Sequence, residues 1–208
     1  MEDKFLKTFC DNKIWATKNA RFTASRRMKR NKVSSNVAMS MLSFQIIAIN
    51  LLTFLSSFKV YERRITIITI ILSGFTLVLS LLISLLQYEK RETNYHQCGI
   101  DLDHLNQEIQ LAMSREVSLS FEDKEAYIKK YFDIIEKYNL NHTTFDYMYA
   151  SDKYNVNERF LRWYVFDINT FYWALVIVVP LVSLFVITIS PDIVHNIWSD
   201  NFLMLKTY

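Results

Sequence analysis

Polar side chains recur at steps of three or four residues between positions 66 and 87. They are Thr66, Thr69, Ser73, Thr76, Ser80, Ser84 and Gln87. This spacing places them on one side of a helix. We call the six hydroxyl-bearing residues the hydroxyl stripe. Hydroxyl groups on one helix face can line a wet path, or they can let helices approach closely and hydrogen-bond to each other. The sequence leaves both alternatives open.

A second polar face precedes the hydroxyl stripe and is formed by Ser40, Ser43, Asn50 and Ser57. Asn50 lies near the middle of an apolar run, where an amide exposed to lipid is costly. We therefore expect Asn50 to face protein or water. No charged residue falls within the hydroxyl stripe, so a pore lined by it would discriminate poorly between ions.

Residues that could perform catalysis are not arranged for it. HExxH, GxSxG, Walker A and GxGxxG motifs do not occur, and the chain has only two glycines. The histidines are scattered: His96, His104, His142 and His195. Cys10 and Cys98 are far apart and outside any metal-binding spacing. The sequence therefore predicts a protein that is not an enzyme and that needs neither cofactor nor metal.

The elements that carry the polar faces are three uncharged apolar runs, 37–58, 65–88 and 171–189. At a rise of about 1.5 Å per residue, each is long enough to cross a hydrocarbon core of roughly 30 Å. Pro180 lies in the third run and removes one backbone hydrogen bond, so full or partial insertion of this run stays open. We predict an all-α membrane protein: a transmembrane helical hairpin with a long cytoplasmic helical extension and a third, C-terminal transmembrane helix.

The organisation follows from these runs and from charge. We expect a basic cytoplasmic helical segment (1–36), the hairpin (37–88), a cytoplasmic helical stalk (89–170), the third transmembrane helix (171–190) and an external tail (191–208). Residues 1–36 carry ten Lys and Arg against three acidic residues, whereas residues 89–158 carry eight against fourteen. Near the span ends, eleven lysines and arginines lie on one predicted side and four on the other. This asymmetry places the N-terminus in the cytoplasm.

Basic residues before the first run form a block, which we call the basic block: Arg21, Arg26, Arg27, Lys29, Arg30 and Lys32. Such residues either fix the topology or bind anionic lipid headgroups. Nucleic acid is an unlikely partner, because the cations are few, adjacent to a membrane and not accompanied by a recognisable nucleic-acid-binding fold.

The stalk carries an apolar seam at heptad spacing, formed by Tyr88, Tyr95, Leu102, Leu105 and Ile109. It continues the register of the second run, so we predict a single helix over 65–114. Ser120 and Asp123 predict the start of a further helix with Tyr131 on its apolar face. The seam is a candidate contact between copies of the chain, and packing within one chain is the alternative.

Several segments carry a resemblance to a known family: Lys18 to Met28, the close hairpin, Tyr95 to Gly99, and Tyr138 to His142 before Asp146. Together they resemble the bacterial SLATT proteins, the SMODS- and SLOG-associating two-transmembrane effectors. The resemblance covers roughly residues 14 to 150. The third apolar run departs from the two-span name.

The resemblance implies an effector of antiviral, abortive-infection defence in the bacterial inner membrane. Such proteins are coupled to reverse-transcriptase or cyclic-nucleotide signalling modules and perforate or depolarise the membrane on activation. The resemblance supplies no catalytic residues. We expect a homo-oligomer in contact with membrane lipids. The alternative function is a non-conducting sensor or scaffold that recruits a soluble partner through its cytoplasmic helices.

Overall fold

A computed structural model describes residues 4–115, 119–140, 143–150 and 158–188, and all the regular structure in these ranges is helical. The α-helices in chain order are α1 (Lys4–Phe9), α2 (Trp15–Leu51), α3 (Glu62–Leu86), α4 (Tyr88–Ser114), α5 (Phe121–Tyr138), α6 (Thr144–Ala150) and α7 (Glu158–Thr188). A π-helical turn, Cys10–Ile14, joins α1 to α2, and two 3₁₀ segments, Leu52–Phe54 and Ser56–Tyr61, precede α3. The prediction of an all-α chain is confirmed.

Three helical stretches are long and apolar enough to cross a membrane. They lie within Lys4–Phe54, Ser57–Ser114 and Asn169–Thr188. Pro180 is inside α7 and does not end it. The prediction of three candidate membrane helices is therefore confirmed, and the third is as long as a span requires.

The chain divides into two compact units. The first, which we call the polar unit, comprises Met1–Ser34 and Ile83–Asn169. The second, the apolar unit, comprises Ser35–Leu82 and Thr170–Tyr208. The polar unit holds the basic block and the stalk seam, and the apolar unit holds most of the hydroxyl stripe.

The core of the polar unit is built by its first helices packing on α4 and α5. Its buried members are Leu6, Cys10, Ile14, Cys98, Leu102, Leu105, Ile109 and Tyr131. The Phe9 ring meets the Tyr131 ring edge-on, with 5.5 Å between centroids. The Tyr131 hydroxyl is buried and lies 3.0 Å from the Thr17 hydroxyl, which provides the hydrogen bond that a buried phenol needs.

Capping defines where α5 begins and ends. Ser120 Oγ accepts from the Asp123 amide at 3.1 Å, and the Asp123 carboxylate accepts from the Ser120 amide at 3.0 Å. This reciprocal pair confirms the predicted helix start. Asn139 follows α5 in the left-handed conformation, with φ 39°, which asparagine tolerates better than most residues.

The apolar unit has a small cluster at its centre, formed by Ile49 of α2, Ile65 of α3 and Ile187 of α7. Many other apolar side chains on these helices are exposed, including Ile70, Leu77 and Leu85. A helix that is apolar on nearly all sides is typical of a membrane segment, so this pattern of exposure agrees with the predicted spans.

The hairpin turn begins earlier than predicted. The gap between the first two apolar runs predicts a loop at 59–64, but α2 ends at Leu51 and Leu55 has an extended backbone (φ −84°, ψ 127°). Local hydrogen bonds compete with the helix at this end: Thr53 Oγ1 donates to the Asn50 carbonyl at 2.7 Å. Arg63 and Arg64, predicted in the loop, belong to the first turn of α3.

The predicted continuous helix over 65–114 is interrupted. Gln87 adopts a left-handed conformation (φ 47°, ψ 43°) between α3 and α4. This backbone costs an L-residue other than glycine roughly 1–2 kcal/mol, which tertiary contacts must offset. The next residue, Tyr88, is buried and provides such contacts. The predicted tail 191–208, and the cations counted at Lys153 and Lys206, lie outside the described residues.

Candidate functional site

The hydroxyl stripe is divided between two environments in the single chain. Thr69 is buried and Thr76 is half-buried. Thr66, Ser73, Ser80 and Ser84 are exposed. The side of α3 that packs within the chain carries Ile65, Thr69 and Leu79, so the stripe overlaps this packing face at Thr69, and its exposed members lie beside the face.

Four hydroxyl groups of the stripe, those of Thr66, Thr69, Ser73 and Thr76, bond back to their own helix. Thr66 donates to the Glu62 carbonyl at 2.9 Å and Ser73 to the Thr69 carbonyl at 2.7 Å. Thr76 donates to the Leu72 carbonyl at 2.8 Å. Such bonds satisfy the donors and leave acceptor lone pairs free to meet water or another helix. The stripe is therefore compatible with lipid, with a wet path and with helix packing.

Asn50 lies next to the last residue of α2. It is exposed and donates to the Ile46 carbonyl at 3.0 Å. The α-helix ends one residue later, and the candidate membrane stretch continues to Phe54.

A polar contact between two of the candidate membrane helices was missed from the sequence. Gln45 Nε2 of α2 donates to Ser183 Oγ of α7 at 3.2 Å, and Ser183 donates to the Val179 carbonyl at 2.7 Å. Gln45 is half-buried. The available signal was a glutamine in an apolar run, because such a side chain usually turns toward protein.

The basic block is also divided. Arg26, Lys29 and Arg30 are exposed. Lys32 forms an ion pair with Glu89 at 3.0 Å. Arg21 is 2% exposed and Arg27 is half-buried, and both bind groups from the C-terminal half of the polar unit. The exposed cations remain candidates for lipid headgroups, whereas Arg21 and Arg27 contribute to an internal polar cluster.

Arg27 and Asp146 form the centre of this cluster. Nε and Nη2 of Arg27 donate to the two carboxylate oxygens of Asp146 at 3.0 and 2.8 Å. This forked geometry is the strongest that arginine forms with a carboxylate. Asp146 is buried and also accepts from the amide and hydroxyl of Thr143 at 3.1 and 2.8 Å. One carboxylate therefore starts α6 and ties it to α2.

The contacts of Arg21 compensate its charge less fully than those of Arg27. One Nη1 hydrogen is donated to the Leu140 carbonyl, and the guanidinium carbon lies 5.7 Å from the centre of the Tyr95 ring. The Nε atom is buried and has no hydrogen-bond partner among the residues that the structure describes. Burial raises the pKa of the Tyr95 hydroxyl, against the opposing effect of Arg21, so Tyr95 stays neutral and offers Arg21 a π face and no counter-charge.

Close packing beside the cluster depends on Gly99. A Cβ atom at this position would lie 2.8 Å from the Phe22 ring. Phe22 in turn meets the His96 ring edge-on, with 5.7 Å between centroids. The glycine thus lets α2 and α4 approach within ring contact, which accounts for a glycine inside a helix despite its low helix propensity.

The stalk seam is covered within the chain. Tyr88, Tyr95, Leu102, Leu105 and Ile109 are all buried. The last three belong to the core shared with Leu6, Ile14 and Tyr131. Of the two alternatives for this seam, the structure displays packing within one chain, and it leaves little surface on these residues for a second copy.

Asp101 of α4 accepts hydrogen bonds from α5 at the solvent side of the core. Burial alone would raise the pKa of Asp101, but hydrogen bonds from Tyr138 at 2.7 Å, Lys137 at 3.0 Å and Gln97 at 3.1 Å together hold it below its ordinary value. The carboxylate is therefore stabilised in its charged form.

Within the part of the chain that the structure describes, no three His, Cys, Asp or Glu side chains are grouped so that they could hold a metal ion. Asn141 and His142, which contribute to the resemblance, lie outside the described residues. Arg21, Phe22, Arg27, Tyr95, Gly99, Leu140 and Asp146 come from the three segments that carry it. These segments, distant in sequence, meet at one polar cluster.

Comparison with known proteins identifies one family. The model described as SMODS and SLOG-associating 2TM effector domain family 5 matches residues 3–189. No curated protein and no solved structure is detectably similar to the chain. The matched domain is longer than the region of resemblance and includes α7, so the third apolar helix lies inside the family domain. The chain belongs to the SLATT family, as a member of its family 5.

Proposed function

We propose that this protein is a membrane effector of an antiviral, abortive-infection defence system, which oligomerises in the inner membrane and permeabilises it on activation. The N-terminus and the polar unit lie in the cytoplasm, as the distribution of lysine and arginine favours. A reverse-transcriptase or cyclic-nucleotide signalling module is the partner that supplies the signal. Family membership supports the effector role.

The observation that carries the permeabilising role is the position of the exposed part of the hydroxyl stripe. Thr66, Ser73, Ser80 and Ser84 follow α3 across nearly the whole apolar run, outside the face that packs within the chain. Small polar side chains at this spacing fit a contact between copies of α3, in which helices approach closely. When several copies assemble, the same side chains line a wet path.

The mechanism requires two arrangements of the spans and a signal that favours one of them. In the resting arrangement the stripes of neighbouring copies bond to each other or back to their own helices. In the active arrangement they face water. Asn50, at the end of α2, lies at the interface and contributes at the mouth of the path.

Within the basic block, the exposed cations are the residues that bind lipid headgroups. Arg26, Lys29 and Arg30 lie on the solvent side of α2. Each basic residue near an anionic surface contributes about 1 kcal/mol. They orient the polar unit at the membrane without entering its core.

A second candidate function is a non-conducting scaffold. It is supported by exposed aromatic side chains on the polar unit: Phe5, Phe121 and Phe132 are each more than half exposed. Phe5 stacks on Phe9, and Phe9 contacts Tyr131 beside Phe132. Exposed aromatic groups of this kind are typical of surfaces that bind other proteins.

Dye release from vesicles separates the two functions. The full-length protein is reconstituted at increasing density into vesicles that contain a trapped fluorescent dye. A permeabilising effector releases dye with a steeper than linear dependence on density, because the path needs several copies. Absence of release at every density, with the protein inserted and monodisperse before reconstitution, contradicts permeabilisation and favours the scaffold.

A further inference from the structure

The turn of the hairpin, residues 52–61, has an inner and an outer side. Leu52, Phe58 and Tyr61 pack against the small isoleucine cluster at the centre of the apolar unit. Phe58 and Tyr61 are three residues apart in a 3₁₀ segment, so they share one side of it, and their ring centroids lie 6.4 Å apart. Lys59 and Val60, which lie between them, are exposed and occupy the other sides of the segment.

The outer side of the turn is strongly apolar. Phe54 is 83% exposed, Val60 is 84% exposed and Leu55 is 54% exposed. We call these three residues the turn patch. Large apolar side chains gain free energy when they leave water, so several of them exposed in one short turn mark a surface that a membrane or a partner covers.

The turn patch is continuous with two candidate membrane stretches. One stretch runs to Phe54 and the next begins at Ser57, so two residues of the chain separate them. The apolar surface of the spans therefore continues around the turn without an intervening polar loop. Lipid that surrounds the spans also reaches the turn patch, which favours lipid over a soluble protein as its partner.

Cations border the turn patch. Residues 52–64 carry Lys59, Arg63 and Arg64 against one acid, Glu62, and both Lys59 and Arg63 are exposed. Lysine and arginine next to apolar and aromatic side chains are typical of segments that lie in the headgroup layer, where the cations meet lipid phosphates. Cations are usually scarce on the side away from the cytoplasm, so in the proposed orientation they need a role other than topology.

We propose that the hairpin turn is a binding surface for anionic phospholipid. Phe54 and Val60 lie among the upper parts of the acyl chains, and Lys59 and Arg63 bind the phosphodiester groups of lipids such as phosphatidylglycerol. This contact holds the closed end of the hairpin at the depth of the headgroups. The inference goes beyond the proposed function, because it requires that the two spans are inserted and not that the protein permeabilises the membrane.

The test uses the full-length protein in vesicles that contain phosphatidylcholine and phosphatidylglycerol in equal amounts. Phe54→p-benzoylphenylalanine places a photo-reactive aromatic group in the turn patch, and illumination joins it covalently to its neighbours. Phe121→p-benzoylphenylalanine is the matched control, since Phe121 is an aromatic residue of the polar unit and is 79% exposed. Mass spectrometry identifies the adducts.

We expect lipid adducts at position 54, with phosphatidylglycerol in excess of phosphatidylcholine, and few lipid adducts at position 121. Lys59→Gln with Arg63→Gln should return the two lipids to equal yield at position 54. Lys90→Gln with Arg91→Gln removes an exposed lysine and an exposed arginine from α4 and should leave the excess unchanged.

Three outcomes overturn the proposal. The first is adducts at position 54 to a second copy of the chain or to no lipid. The second is equal yield of the two lipids before any charge is removed. The third is the same loss of excess in the two double variants.

A depth measurement keeps the test decisive if the photo-reactive variant does not fold. Val60→Cys carries a fluorophore that iodide quenches from water, on both sides of the membrane, and that nitroxide-labelled lipid quenches from the bilayer. The native thiols are buried and compete poorly for the label. We expect lipid nitroxide to quench the label at position 60 several-fold more strongly than iodide does, and the reverse for Phe121→Cys.

Equal quenching by iodide at positions 60 and 121 would overturn the proposal, because the turn would then lie in water. Since leakage enters neither measurement, failure of the lipid-binding turn and failure of the proposed function are distinguishable.

Discussion

Arg27 donates hydrogen bonds to both carboxylate oxygens of Asp146, 119 residues further along the chain, at 3.0 and 2.8 Å. The pair joins the block of cations that precedes the first span to the turn that starts α6. Asp146 is 3% exposed and the Arg27 side chain 16%, so neither group is well screened by water. The pair is a structural element of the polar unit in addition to any effect of the block on topology.

Removing one charge of this pair should therefore be costly. We expect Asp146→Asn, which keeps an oxygen for the helix cap, to destabilise the polar unit by about 3–5 kcal/mol, because it leaves a buried guanidinium unpaired. Arg27→Met should act similarly, and the double variant should cost less than the sum. Thermal unfolding in detergent, followed by circular dichroism, measures these changes.

The matched control is the exposed pair Lys130–Glu108, with an N–O distance of 2.6 Å and both side chains about half exposed. Lys130→Met should change stability by less than about 1 kcal/mol. If breaking either pair lowers stability by a similar amount, burial does not make the Arg27–Asp146 pair more important than an exposed one.

Gly99 offers a steric test of the contact between α2 and α4. In Gly99→Ala the new Cβ would lie 2.8 Å from the Phe22 ring, so we expect a lower unfolding temperature from overpacking, which costs about 1–3 kcal/mol. Gly74→Ala is the control, since nothing lies within 4 Å of a Cβ there, and alanine favours the helix. Adding Phe22→Leu to Gly99→Ala should restore stability, because leucine is smaller than phenylalanine and has no ring. If the double variant is no more stable than Gly99→Ala alone, the contact between Gly99 and Phe22 is contradicted.

Stability should depend on Asp101 at low pH. Its folded-state pKa lies below the ordinary value, so the unfolded chain takes up a proton more readily than the folded one. The stabilisation is complete above the unfolded pKa of about 4 and is lost as pH falls through the folded-state pKa. Comparing unfolding temperatures across this range, Asp101→Asn should show a shallower pH dependence than the wild type. Parallel curves would exclude this role.

The contact between copies can be tested by oxidative cross-linking. Ser80→Cys places a thiol on the hydroxyl stripe, and Val78→Cys places one on nearly the opposite side of α3, where Val78 is also exposed. The native thiols are buried; burial with the nearby Asp11 raises the pKa of Cys10 to about 11, and burial raises that of Cys98. They are therefore poor competitors. In vesicles, Ser80→Cys should form dimers and Val78→Cys should not; the reverse order would place another face of α3 at the contact.

The spans and helix starts could be predicted from local sequence, because their signals lie within a few residues. Apolar runs of sufficient length predicted the membrane helices, and Ser120 with Asp123 predicted the start of α5. The break at Gln87 could not be predicted, because no glycine or proline marks it. It depends on tertiary contacts around residues such as Tyr88.

The polar cluster could not be predicted from local sequence either, for a different reason. A run of cations beside a membrane span usually serves topology, and nothing next to Arg21 or Arg27 indicates a partner. Their partners, Leu140 and Asp146, are more than a hundred residues away. The family resemblance pointed to the three segments that meet there, but it did not say that they touch.

Dye release by a variant of the hydroxyl stripe tests the central claim most directly. Ser73→Leu with Ser80→Leu removes two exposed hydroxyls from the middle of α3, and Ile70→Leu is a control on an exposed apolar residue of the same helix. We predict that the double variant inserts normally but loses most of the leakage that the wild type and the control produce at equal density. Undiminished leakage by the double variant would contradict the claim that this stripe forms the path.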